Sequence, residues 1–216
     1  MSMRLLARRA QRLLKNRQDV VQPFKYLLVL DFEATCEKDI PIETPEIIEF
    51  PCVALNTQSW EIEEIFHRYI KPRVKPILTP FCTELTGIMQ ETVDDEEHFP
   101  QVFKDFSSWM QRNNFDKDKC AFVTCGDWDL KVMLPGQCAI DGLKVPEYLN
   151  KWINLKRSYC EATQIYPKSL NDMIRRLKLQ PQGRAHSGLH DSINMVQVIE
   201  TLAKNHKAKF DLTSVR

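Results

Sequence analysis

Tyr26-Leu27-Leu28-Val29-Leu30-Asp31-Phe32-Glu33-Ala34-Thr35 is the stretch on which the fold turns. Its first half is an unbroken apolar and aromatic run without glycine or proline, and it reads as a strand buried on both faces. On a strand, residues two apart point to the same face. Asp31 and Glu33 therefore project side by side from the strand's end. Two carboxylates so close repel each other unless a cation lies between them. A hard, oxygen-ligated cation such as Mg²⁺ or Mn²⁺ suits the pair. Taken alone, the pair reads equally well as a solvated strand end carrying ordinary surface acids.

Further strands follow. Residues 47–55 and 62–70 are rich in β-branched and aromatic side chains, and Asn56-Thr57-Gln58-Ser59 lies between them. With the first strand they predict an antiparallel meander, although Pro51 argues against regular pairing for part of the second. After a proline-rich stretch at 72–80 the period changes. Phe99, Phe103, Phe106 and Met110 recur at helical spacing. Residues 120–125 read as a short buried strand, and 128–134 as a helix stopped by Pro135-Gly136. Residues 152–155 predict a strand and 157–166 a helix. Leu170, Ile174 and Leu177 mark another helix, and a last one covers about 189–204 with Ile193, Val196 and Ile199 inward. The expected architecture is α/β: a mixed sheet, meander plus parallel strands, flanked by helices.

Two more segments carry chemistry. In Thr124-Cys125-Gly126-Asp127-Trp128-Asp129 a buried strand runs through a glycine turn into a helix. Such junctions often carry functional groups. Asp127 reads as a cap for that helix, and Asp129, one turn in, could reach the strand-end pair. Trp128 reads either as core or as a stacking face for a base. In Gly183-Arg184-Ala185-His186-Ser187-Gly188-Leu189-His190-Asp191 a loop delivers His186 just ahead of the last helix, with Asp191 in its first turn. A loop histidine that titrates near neutral pH suits general-base work. Read blandly, His186 is a polar loop residue and Asp191 a first-turn acid favoured by the helix dipole. A zinc site is the weaker alternative, because soft ligands are missing and carboxylates dominate.

Taken together, DFEAT, GDWD and HSGLHD, in that order and separation, resemble the DEDDh superfamily of 3′→5′ exonucleases. PFCTELTGI (80–88), TCGDWDLKVMLPGQC (124–138), KWINLKRSY (151–159) and GRAHSGLHDSIN (183–194) resemble its ERI exoribonuclease branch. The resemblance covers about residues 26–205 and implies a ribonuclease-H-like fold. It implies that Asp31, Glu33, Asp129 and Asp191 hold two Mg²⁺ ions, or Mn²⁺, and that His186 takes the proton from the attacking water. It places Glu33 and Ala34 by the terminal ribose, with Phe81, Leu85 and Trp128 against the terminal nucleotide. Phosphodiester hydrolysis needs an activated water and a stabilised leaving oxygen, and two metal ions supply both. The implied products are nucleoside 5′-monophosphates, released from single-stranded RNA 3′ ends. His190 departs from the branch, which usually carries an acid there. The change removes a negative charge from a helix N-terminus and is expected to tune pH dependence or metal affinity without abolishing activity.

Length and composition set the frame. The chain has 216 residues, 43% of them apolar and 27% charged, which fits one domain (23–216) after a short extension (1–22). No apolar run approaches the roughly 20 residues of a membrane span. Seven scattered cysteines without a C-x-x-C pair argue for a reducing compartment. The resemblance to the ERI branch implies an intracellular protein of cytoplasm or nucleus, and the basic start keeps the mitochondrion open. Six bases and no acid fall in residues 1–17, which leaves 24 bases against 29 acids and about −5 for the remainder. Residues 1–18 predict a basic amphipathic helix. It reads as a mitochondrial-type targeting peptide, as an arm for phosphates, or as an extension that packs its leucines on the body. The chain is expected to be a monomer. Rival functions are a short-oligonucleotide or DNA-trimming exonuclease and a catalytically silent RNA-binding module.

Overall fold

The computed structural model describes residues 20–39 and 42–216; the basic helix expected at 1–18 lies outside them. Strands β1 (Tyr26–Leu30), β2 (Glu33–Ala34), β3 (Ile47–Asn56) and β4 (Ile62–Tyr69) come first. Three helices follow: α1 (Pro80–Thr86), α2 (Gln90–Asp94) and α3 (Phe99–Arg112). The second half holds β5 (Cys120–Thr124), α4 (Leu134–Ile140), β6 (Lys151–Asn154), α5 (Leu155–Thr163), α6 (Leu170–Arg176), α7 (Gly188–His206) and β7 (Ser214–Val215). β3 pairs antiparallel with β1, β2 and β4; β1, β5 and β6 run parallel; β7 pairs antiparallel with β6. The expected meander and parallel strands are thus one mixed sheet.

The period of two in β1 sorts the core. Leu28 and Leu30 point to the face covered by α3, where they meet Phe50, Phe106 and Trp109. Leu27 and Val29 point to the opposite face, where α5, α6 and α7 pack through Leu155, Met173, Met195 and Ile199. Both faces are covered, which explains why β1 has no polar residue until Asp31. Of the expected inner face of α7, Val196 and Ile199 are buried, while Ile193 is only partly so. Among the described residues no helix is long and apolar enough to cross a membrane.

Two expectations about proline are corrected. Pro51 does not interrupt β3, which is continuous through all ten residues, and the one shift in its register with β4 falls further on, between Ala54 and Leu55. The Ile48 carbonyl accepts from Ile70 in the β4 direction, so by alternation the Pro51 nitrogen faces the β1/β2 side. There the β1 register has ended at Leu30↔Cys52 and the β2 register begins at Glu33↔Glu49. The missing N–H falls in that gap and costs no ladder bond. Pro135 likewise does not stop a helix. A π-turn (Asp129–Met133) passes directly into α4, and Pro135 sits in the first turn of α4. The change of register leaves N–H groups without helical partners at that point, so proline is tolerated. The helix expected at 157–166 begins two residues earlier and ends at Thr163, because Asn154 caps it through the Arg157 N–H.

Candidate active site

Asp31 follows β1 and Glu33 opens β2, two residues on, so both lie on the side of the sheet that α7 covers. α7 brings Asp191 to them from its first turn. Asp31, Glu33 and Asp191 each present an oxygen, and these oxygens all lie within 4.8 Å of one another. Asp129 is buried beside them, and its Oδ1 accepts the Phe32 N–H at 3.0 Å, between the two strand-end carboxylates in sequence. The π-turn that begins at Asp129 is a device often found at functional sites, where it re-aims a side chain. Asp127 does not cap that turn. It accepts from Trp152 Nε1 at 3.0 Å and Ser214 Oγ at 2.6 Å, and pairs with Arg157 at 3.2 Å, so it ties the loop to β6, β7 and α5.

His186 stands in the loop before α7, exposed, with a left-handed φ of 61°. A non-glycine residue held there is strained and needs surrounding bonds to keep it. One such bond is its own N–H, which donates to Asp191 Oδ2 at 2.9 Å. His190, next to Asp191 in sequence, engages the loop backbone: its Nδ1 accepts the Arg184 N–H at 3.3 Å.

A fifth acid escaped the sequence reading. Glu49, buried in β3, accepts the Gly188 N–H at 2.9 Å and the Leu189 N–H at 3.1 Å. These are orphan donors of the first turn of α7. His67 Nε2 lies 2.9 Å from the same carboxylate. The signal was an acid flanked by Ile48 and Phe50 in a strand rich in β-branched and aromatic side chains, where an acid that is buried needs partners.

The site is short of positive charge. Burial first, then the Asp129, Glu33, Asp191 and Glu49 charges, push the Asp31 carboxyl well above the usual range. Burial, Glu49, Asp191 and Asp129 raise Glu33 to about 9, against a downward pull from Arg184. Burial raises Asp129 to about 6, with the Phe32 N–H working the other way. Asp191 is raised by burial, tempered by the His186 N–H. A cluster of carboxylates that resists ionising fits divalent cations, which remove the repulsion. The donors are all carboxylate oxygens, as hard ions such as Mg²⁺ and Mn²⁺ prefer.

The residues expected around a nucleotide lie on α1 and at the start of the π-turn. Phe81 and Leu85 are i and i+4 on α1, both half-buried. α1 starts at Thr79-Pro80 and ends at Gly87, whose φ is 78° and whose N–H closes on Thr83. It is moored to the Glu33 segment: Thr79 Oγ1 donates to Cys36 O at 2.7 Å, and Cys82 Sγ to Ala34 O at 3.7 Å. Trp128 is 47% exposed at the start of the π-turn, which sets aside its reading as core.

Comparison with known proteins gives concordant results. A model of the exonuclease family, RNase_T, matches residues 28–199. The human protein named ERI1 exoribonuclease 3 is 51% identical over 185 residues, which cover 84% of this chain and 55% of that one. The chain thus spans about half the length of the curated relatives it matches. The solved nuclease domain of 3'hExo, a DEDDh family member bound to rAMP, superposes with a TM-score of 0.84 at 37% identity, covering 89% of this chain and 98% of that one. A structure described as 3'-end specific recognition of histone mRNA stem-loop by 3'-exonuclease superposes at 0.82 and 35% identity, covering 91% and 92%.

Proposed function

The chain belongs to the exonuclease (RNase_T) family, and from that membership we propose that it is a 3′→5′ exoribonuclease that trims single-stranded RNA to nucleoside 5′-monophosphates. The observation that carries the reading is the convergence of Asp31, Glu33 and Asp191 oxygens within 4.8 Å beside buried Asp129. RNA is favoured as substrate because a relative at 51% identity is named an exoribonuclease and a structural neighbour is bound to rAMP.

Asp31, Glu33, Asp129 and Asp191 would hold two divalent ions, Mg²⁺ or Mn²⁺. Bound there, such ions supply Lewis acidity for phosphodiester hydrolysis. The chain's own residues do the rest. His186, exposed on its loop, accepts the proton of the attacking water through an imidazole nitrogen. Phe81 and Leu85 wall the terminal nucleotide, Trp128 offers its open ring to the base, and Glu33 and Ala34 lie by the ribose. The Glu49 carboxylate fixes the α7 N-terminus and so the direction from which Asp191 enters.

The test uses the purified chain with a 5′-labelled single-stranded RNA, with Mg²⁺ or with EDTA, beside Asp31→Ala. A ladder of stepwise shorter products that needs metal and vanishes in the variant is expected. DNA of the same sequence should be trimmed more slowly. Intact RNA with either Mg²⁺ or Mn²⁺ would sink the enzyme reading and leave a binding module.

A further inference from the structure

Arg184 is exposed, yet it is held at both ends. Its Nη2 donates to the Glu84 carbonyl and, at 3.4 Å, to the Leu85 carbonyl. These belong to the last turn of α1, where carbonyls lack helical partners and the dipole favours a cation. Gly87, just beyond that turn, leaves the space: a Cβ there would sit 1.4 Å from Arg184 Nη1. Among the described residues Arg184 is the only side chain from another element that hydrogen-bonds residues 84–87. Its own backbone N–H is held by His190 Nδ1 at 3.3 Å. The His190 ring in turn lies over Gly183, where a Cβ would come within 2.3 Å of the ring.

One residue therefore joins three pieces: α1 with Phe81 and Leu85, the loop that carries His186 two positions on, and the first turn of α7. We infer that Arg184 is a positioning residue, a strap that holds the nucleotide-facing wall of α1 and the His186 loop together as one unit. The inference rests on the function proposed above and deepens it, since it names what aligns the bound nucleotide with the proton acceptor. His190 takes part as well, because its ring nitrogen holds the strap's backbone.

The test is hydrogen exchange by mass spectrometry on the full chain without substrate, for wild type, Arg184→Ala and Arg184→Lys, together with steady-state hydrolysis of single-stranded RNA. In Arg184→Ala, amides in both 80–87 and 183–187 should exchange about tenfold faster, as expected when charge-assisted bonds holding a local unit are lost. KM should rise and kcat fall together, because wall and acceptor drift apart. Arg184→Lys keeps a charge and a donor and should recover part of the protection. Unchanged exchange in Arg184→Ala, or a change confined to one of the two segments, would overturn the strap. So would normal kcat in Arg184→Lys with equal exchange in all three proteins, which would leave only a charge beside Glu33. Exchange is read without RNA, so it decides the strap even if the wild type hydrolyses nothing, a result that would count against the enzyme reading alone.

Discussion

Glu49 Oε2 accepts the backbone N–H of Gly188 at 2.9 Å, joining residues 139 positions apart. A strand glutamate thereby acts as the cap of the helix that carries Asp191, where Ser187 at the N-cap makes no side-chain bond. Glu49→Gln keeps one acceptor oxygen for two N–H groups and loses the charge that attracts them. We expect a stability loss of about 1–3 kcal/mol, the range for orphaning a buried polar group, measured by urea unfolding. kcat should fall as well, because Asp191 and, through it, the His186 N–H follow the helix end. A destabilised Glu49→Gln with wild-type kcat would refute that coupling.

Gly188 is where α7 and the end of β1 touch. A Cβ at this position would lie 2.4 Å from the Asp31 carbonyl oxygen, a backbone atom that cannot swing aside. Helix propensity alone favours Gly188→Ala by up to about 1 kcal/mol. The contact predicts the opposite sign, a loss of about 1–3 kcal/mol from overpacking. α7 must retreat from Asp31, and a displacement of about 1 Å at a reacting centre can cost about 10²-fold in rate. Thermal unfolding and RNA hydrolysis on the same preparation check both signs.

The strands and helices were legible because their burial is regular. β1 is apolar on both faces since helices cover both, and the phenylalanines of α3 keep helical spacing. The prolines misled because their cost depends on which way a nitrogen points: Pro51 faces a gap between two registers, and Pro135 opens a helical turn. Asp31 and Glu33 were legible as a pair from strand alternation, Asp191 as their partner only from the resemblance to the DEDDh exonucleases, and the structure brings the three together. Glu49 and Arg184 were not, because each acts on backbone groups that are remote in sequence. The local pattern shows at most that Glu49 needs partners, and nothing in it names a helix 139 residues away.

The carboxylate cluster should make the metal-free protein less stable as pH rises. Glu33 moves from 4.5 to about 9 and Asp129 from 3.8 to about 6 on folding. The folded chain therefore binds more protons than the unfolded one between about pH 4 and 9, and stability falls across that window. In EDTA, Tm should drop as pH is raised from 5 to 9. Saturating Mg²⁺ should restore it most at the alkaline end, by about 2.7 kcal/mol at a hundredfold excess over Kd, or roughly 5–10 °C for a chain of this size. Asp31→Asn should raise the metal-free Tm at pH 8 and abolish the Mg²⁺ response together with hydrolysis. A Tm that climbs with pH in EDTA would contradict the charge arrangement.

His186→Ala should leave the fold intact, since the side chain is exposed, and slow hydrolysis by about 10²–10⁴-fold, the usual contribution of a general base. The Mg²⁺ response of Tm should persist, which separates proton transfer from metal binding. Loss of that response in His186→Ala would make the histidine a determinant of the metal site instead.

Trp128 offers the last discriminating substitution because it is exposed at the rim of the site and lies next to buried Asp129 in sequence. If the indole stacks on the terminal base, Trp128→Ala removes about 1–3 kcal/mol of binding per base, about 5- to 150-fold in KM. Stability should stay within about 0.5 kcal/mol of wild type, as for a surface change without buried partners. Trp128→Phe keeps an aromatic face and should recover most of the affinity, which a purely steric role would not require. An unfolded Trp128→Ala would show that the ring packs against the turn that aims Asp129. Unchanged KM in a folded Trp128→Ala would move the base from Trp128 to Phe81.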